Sequence, residues 1–138
     1  MNRRQTVAGL LAMALSACAL PPPAPTQLIG VWAPESAQLG GRALPVESFD
    51  GAMLKLDGQG YEFAGDRGRY ALLRDGKEAA MDILGTEGPN QGRKLLAIYW
   101  LEADHLIICY ELGAGTRPLN FESPPGSHRF LVSYRRVQ

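Results

Sequence analysis

Residues 92–112 read GRKLLAIYWLEADHLIICYEL. Two short apolar runs flank a polar break at Glu102-Ala103-Asp104, the pattern of two strands joined by a tight turn. Side chains alternate across a strand, so in the second run Leu106, Ile108, Tyr110 and Leu112 share one face. Ile107, Cys109 and Glu111 share the other. Only the first set makes a continuous core stripe. A chain built from such pieces is a β protein, and the flanking sequence repeats the pattern.

Upstream, LIGVWAPE (28–35) reads as a first strand, and AMLKLDGQGYEFAG (52–65) reads as a hairpin bent at Gly58-Gln59-Gly60. GRYALLRDGKEAAMDILG (68–85) turns at Asp75-Gly76, a two-residue hairpin signal. Downstream, RFLVSYRRV (129–137) closes the chain. The runs are short and the punctuation frequent, which predicts about eight strands in sequential hairpins. The expected fold is a single all-β, up-and-down antiparallel barrel, because closure removes exposed strand edges. A two-sheet sandwich is the alternative. ESAQLGGRALPVESF (35–49) lacks alternation and reads as a long loop, with a short helical turn over residues 45–49 covering one barrel end.

The amino terminus states an address. MNRRQTVAGLLAMALSAC has a basic start at Arg3 and Arg4, an apolar stretch from Val7 to Leu15, and small residues after it. That is the layout of a secretory signal peptide, assigned to residues 1–17. A spanning helix takes about 20 apolar residues, and this run is about half that. Leu15-Ser16-Ala17-Cys18 resembles the lipobox of bacterial lipoproteins. The resemblance implies a diacylglyceryl group on the Cys18 thiol, cleavage just before it and acylation of the new amino terminus with palmitate-like chains. One acyl chain holds a protein only marginally, at ~0.8 kcal/mol per buried CH₂, whereas two or three make a lasting anchor. By resemblance to enterobacterial sorting, Ala19 rather than Asp implies the outer membrane, with the domain facing the periplasm. Residues after Arg3-Arg4 do not fit a twin-arginine signal, so general secretion is expected. Residues 18–26 form a tether whose prolines, Pro21, Pro22, Pro23 and Pro25, favour extended polyproline geometry.

Residues 27–138 remain as one domain, a length suited to a single core. The whole chain has 14 basic and 14 acidic residues, and removing Arg3 and Arg4 leaves 12 basic against 14 acidic. The charges are interspersed with no basic patch, which argues against nucleic acid as a partner. After lipidation of Cys18 only Cys109 is left, so the mature chain forms no internal disulfide.

Gly30-Val31-Trp32 resembles the Gly-x-Trp signature on the first strand of lipocalins. The resemblance implies that Trp32 packs at the closed barrel end beneath an arginine of the last strand, a place open to Arg135 or Arg136. A guanidinium over an indole is worth ~0.5–2 kcal/mol. A second resemblance covers nearly the whole domain. Its landmarks are Gly-x-Trp, a loop from Gly41 to Pro45, Thr86-Glu87-Gly88-Pro89, Ile98-Tyr99, Cys109 and Arg117-Pro118, in that order. The order is similar to an uncharacterised lipocalin-like family expanded in planctomycetes. It implies the barrel and no reaction. Against that pattern Trp100 and Ile107 stand where polar surface residues are expected, which predicts an apolar patch on the outer face.

Cys109 decides whether the chain reads as an enzyme. A nucleophilic thiol needs a base within reach. His105 lies four residues away on the same strand, about 13 Å at strand spacing. If Leu112 pairs with Ser127, His128 sits opposite Glu111 and misses Cys109. No metal-ligand cluster surrounds it. The expected role is a small buried hydrophobe, with a thiol lining a ligand cavity as the alternative. Arg117 either ties backbone carbonyls or a carboxylate such as Glu122 or Glu87, or stands at an open rim to meet an anionic ligand group. The strand aromatics are mostly core, with some placed to line a cup. The expected ligand-facing set is Tyr99, Cys109, Tyr110, Arg117 and Phe121, with no catalytic residue, metal or cofactor. The leading functional expectation is a lipid-anchored envelope barrel that binds a small apolar or amphipathic molecule. The alternative is an interaction module with a filled barrel, such as an envelope inhibitor or immunity-type lipoprotein. An enzyme ranks third.

Overall fold

In the computed structural model, residues 26–75 and 77–138 are described. The expected signal peptide, the expected lipidation site at Cys18 and the expected tether through residue 25 lie outside the described residues, as does Gly76. Period-two alternation becomes strand geometry along nearly all of the described chain. The strands are β1 (Gly30–Leu39), β2 (Arg42–Leu44), β3 (Leu54–Leu56), β4 (Gly60–Phe63), β5 (Asp66–Asp75), β6 (Glu78–Glu87), β7 (Lys94–Glu102), β8 (His105–Glu111) and β9 (Arg129–Arg136). From β3 to β9 each strand pairs antiparallel with the next. β1 pairs with β3 through Gly30–Trp32 and with β9 through Trp32–Leu39, which closes an eight-stranded antiparallel barrel. Closure of β9 onto β1 selects the barrel over the sandwich. β2 is an extra short strand on the far half of β1.

Two expectations need correction. The stretch 35–49 is not one long loop. β1 continues to Leu39, turns through Gly40-Gly41 and returns as β2. Both glycines have positive φ, 57° and 83°, the backbone that two-residue hairpin turns demand. A Cβ on Gly41 would meet Pro125 Cα at 2.9 Å, so space as well as conformation requires glycine there. Weak alternation hid this strand, because β9 and β2 support it through backbone pairing. Pro34 is tolerated inside β1 because it lies at a bulge against β9, in the gap between the β3 and β2 pairings.

The second correction is the β8–β9 register. Glu111 pairs with Arg129, one residue from the expected partner His128. A one-residue slip would set the inward residues of one strand beside the outward residues of the next. The observed pairs Leu106–Tyr134, Ile108–Val132 and Tyr110–Phe130 keep apolar side chains together on the inside. His128 instead lies beside Gly113, away from Cys109.

Both barrel ends are covered. At one end Trp32 is fully buried and its Nε1 donates to Leu28 O at 3.1 Å. The Arg136 guanidinium lies 4.3 Å from the indole centroid and donates to the carbonyls of Ile29 and Gln27. Arg136 takes the position over the indole, whereas Arg135 pairs with Glu35 at 2.9 Å on the surface. Gly30 is required because a Cβ there would come within 2.6 Å of Gln138 O. At the other end the expected helical turn is a 3-10 turn, Val46–Phe49. It drops Phe49 edge-on against Phe63 and Phe130, with centroids 5.6 and 6.3 Å away.

Candidate functional site

The interior stripe predicted for β8 is present: Leu106, Ile108 and Tyr110 belong to the main core, and Leu112 packs against it. The stripe does not fill the barrel. A cavity of about 180 Å³ remains among side chains of β3 to β9. Most of its wall is aliphatic or aromatic, from Leu54, Leu56, Met81, Ile83, Leu95 and Ile108 among others. Two groups of polar side chains break that wall.

The first group lies toward the Phe49 end and comes from β4, the start of β5 and the β6–β7 connection. Asp66 accepts hydrogen bonds from Tyr61 Oη at 3.1 Å, from Asn90 N at 3.1 Å and from Asn90 Nδ2 at 2.7 Å. Arg93 donates to Asn90 Oδ1 at 2.9 Å and to the Leu112 carbonyl. One carboxylate and one guanidinium thus reach the cavity lining, each engaged by protein partners. The second group is internal. Tyr110 and Tyr134, from neighbouring strands, hold their hydroxyl oxygens 2.8 Å apart. Tyr70 donates to the Asp57 carbonyl.

The phenols stay protonated. Burial raises Tyr110 well above the usual tyrosine range, and the nearby Tyr134 and Tyr61 add to the effect. Burial likewise raises Tyr134 and Tyr61, the latter with help from the Asp66 carboxylate. Tyr70 is pushed up to about 12 by burial and then by Asp57. The cavity is therefore lined by neutral phenols among apolar walls. Among the described residues its lining includes no Cys, His, Ser or Lys side chain. Nor do the described residues place three or more His, Cys, Asp or Glu side chains to hold a metal ion.

The expected ligand-facing residues separate. Tyr110 lines the cavity. Tyr99 points inward and packs on the main core, beside the cavity rather than on its wall. Cys109, Arg117 and Phe121 lie on the outer face. Ala80, Ile98, Cys109 and Leu131 form one row across β6, β7, β8 and β9, and Phe121 covers it. Cys109 is fully buried, and its Sγ donates to Glu122 O at 3.6 Å. Burial pushes its thiol up, with Arg129 opposing. Arg117 clamps the same segment to the barrel. Its guanidinium donates to Met81 O at 3.1 Å and Ala97 O at 3.0 Å and pairs with Asp82 at 2.5 Å. The carboxylate is thus Asp82, neither Glu122 nor Glu87. The segment between β8 and β9 is a strap over the outer wall, locked also by Ser123 Oγ donating to Arg129 O at 2.8 Å.

Asp66, Asn90, Arg93 and Tyr134 escaped the sequence reading as site residues. Tyr134 had a usable signal, since Phe130, Val132 and Tyr134 alternate on one face of β9. Asp66 begins β5 whereas Asn90 and Arg93 share the β6–β7 turn, and no local spacing announces that they meet.

The fold and cavity define a closed antiparallel β-barrel with a small, largely apolar interior site. No family model, curated protein or solved structure matches the chain.

Proposed function

We propose that this protein is a lipid-anchored envelope lipoprotein whose lipocalin-like barrel binds a small apolar or amphipathic molecule without transforming it. The observation that carries the reading is the internal cavity of about 180 Å³ with apolar walls and a few inward polar groups. An apolar cavity of ~150 Å³ is enough to take up benzene. The volume suits a single ring with a short substituent. The packing of Arg136 on Trp32 supports the lipocalin-like element of the proposal. The anchor rests on the lipobox at Cys18, with the outer membrane, periplasmic side, as its address. The cavity favours ligand binding over an interaction module with a filled barrel.

Protein purified from membranes, analysed by native mass spectrometry before and after denaturing release, tests the reading. The expected result is a discrete small molecule released in stoichiometric amount. Replacing Ile83 by Trp, which fills the cavity from its wall, should abolish that retention in folded protein. Retention of nothing by the wild type, together with no uptake of added small aromatics, would refute it.

A further inference from the structure

Tyr110 and Tyr134 both line the cavity, and both are largely withdrawn from solvent, 9% and 3% exposed. Their oxygens share one hydrogen bond, in which either phenol can be the donor. Two phenols carry two O–H hydrogens, and the bond between them uses one. Among the described residues neither hydroxyl has another hydrogen-bond partner. One O–H is therefore left over inside an apolar chamber, where an unmet donor is costly. Tyr61 and Tyr70 differ, because each spends its hydrogen on a protein acceptor, Asp66 and the Asp57 carbonyl. A single water would need two to four polar partners to be held well at this place.

We infer that the cavity's ligand is a neutral, ring-sized molecule with one strong acceptor oxygen, a ketone, aldehyde or amide, received by the spare hydrogen of the Tyr110–Tyr134 pair. The inference rests on the cavity being a binding site, as proposed above, and adds the chemistry of its occupant. Size comes from the volume. Neutrality comes from the wall: the Asp66 carboxylate and the Arg93 guanidinium both reach it and balance, and each is engaged by protein partners. An anion would lose its hydration among the apolar side chains around the phenol pair, and the Asp66 carboxylate on the same wall would repel it. The acceptor follows from the leftover hydrogen.

Three probes of nearly equal shape separate the possibilities: acetophenone, ethylbenzene and benzoate. Their Kd values are measured by calorimetry on the full chain and on the Tyr110→Phe/Tyr134→Phe double variant. Removing both hydroxyls together orphans neither, and such paired replacement is nearly neutral for stability. Acetophenone is expected to lose about tenfold relative to ethylbenzene in the double variant, the worth of one hydrogen bond. Ethylbenzene affinity should be unchanged, and benzoate should bind wild type more weakly than acetophenone. In wild type alone, the infrared carbonyl stretch of bound acetophenone should fall to the hydrogen-bonded range, a readout that does not depend on the variant folding. Binding of both uncharged probes with the same ratio in both proteins, or an unshifted carbonyl stretch, overturns the inference and leaves the cavity reading standing. Benzoate binding tighter than acetophenone overturns neutrality. No binding of any probe to wild type removes the inference and the cavity reading together.

Discussion

Trp32→Ala removes the largest fully buried side chain of the barrel. Truncating a buried aromatic costs about 3–5 kcal/mol from lost transfer energy and the cavity left behind. Two local losses push this case toward the upper end. The Leu28 carbonyl loses the indole N–H that satisfies it at 3.1 Å, and Arg136 loses the ring face 4.3 Å from its guanidinium. A loss of about 5 kcal/mol is a large share of a domain stability of about 5–15 kcal/mol. With a urea slope of about 1–3 kcal/mol per molar, the midpoint should fall by about 2 M or more. Trp100, half-exposed on the outer wall, remains as the fluorescent reporter of unfolding. Trp32→Phe keeps most of the packing and loses the N–H, so it should cost about 1–3 kcal/mol, which keeps the test readable if the alanine variant does not fold. A cost below about 1 kcal/mol for Trp32→Ala, typical of exposed positions, would refute the argument that Trp32 and Arg136 hold this end of the barrel shut.

Cys18→Ser should shift the protein from the membrane fraction to a soluble or unprocessed form; unchanged membrane association with an unacylated mature mass would end the lipoprotein proposal. Cys109 should react slowly with a thiol reagent in the native protein and quickly after denaturation, because burial raises its pKa. Cys109→Ala should cost about 1 kcal/mol, and native alkylation as fast as a free peptide thiol would contradict the packing role. At alkaline pH the barrel should weaken. The tyrosines Tyr61, Tyr70, Tyr99, Tyr110 and Tyr134 are all raised in the fold. Below the unfolded tyrosine value of 10.0 both states hold these protons, so nothing is lost. Above it the unfolded chain releases protons that the folded chain keeps, and stability falls as pH rises. A phenolate absorbance titration should lag that of free tyrosine and then rise together with unfolding. Ionisation of all five near pH 10 without unfolding would show that the phenols are not buried as described.

The strap between β8 and β9 explains why Cys109 is packed although it sits on the outward face. An outward cysteine is ordinarily half-exposed on a single-sheet barrel wall. Here Phe121 and the Glu122 carbonyl cover it, and Arg117 holds the strap down through two strand carbonyls and Asp82. The Arg117-Pro118 pair of the strap therefore works as a clasp, with Pro118 fully buried. Outside the strap the outer wall keeps an apolar feature: Trp100 pairs with Ile107 across β7 and β8 and is 43% exposed.

By itself the sequence determined which residues share a face within a strand and where most turns fall. Alternation has a period of two, and it can be read over a few residues. Leu106, Ile108 and Tyr110 were legible as core for that reason, and the hairpin at Gly58-Gln59-Gly60 was legible from its glycines, whereas the packing of Trp32 was expected only from a resemblance. β2 was not, because its three residues are held by backbone pairing to β1 rather than by a buried face. Only the tertiary structure decided what closure of the ring decides. It chose Arg136 over Arg135 for the indole, since that depends on the β1–β9 register. It put Cys109, Arg117 and Phe121 outside the wall and Tyr110 inside it, although Cys109 and Tyr110 are neighbours in the chain. It left the interior unfilled, because volume is a property of eight strands together and not of any one. And it brought Tyr110 within 2.8 Å of Tyr134, which lies 24 residues away, a contact that exists because inward residues of adjacent strands must share the same space.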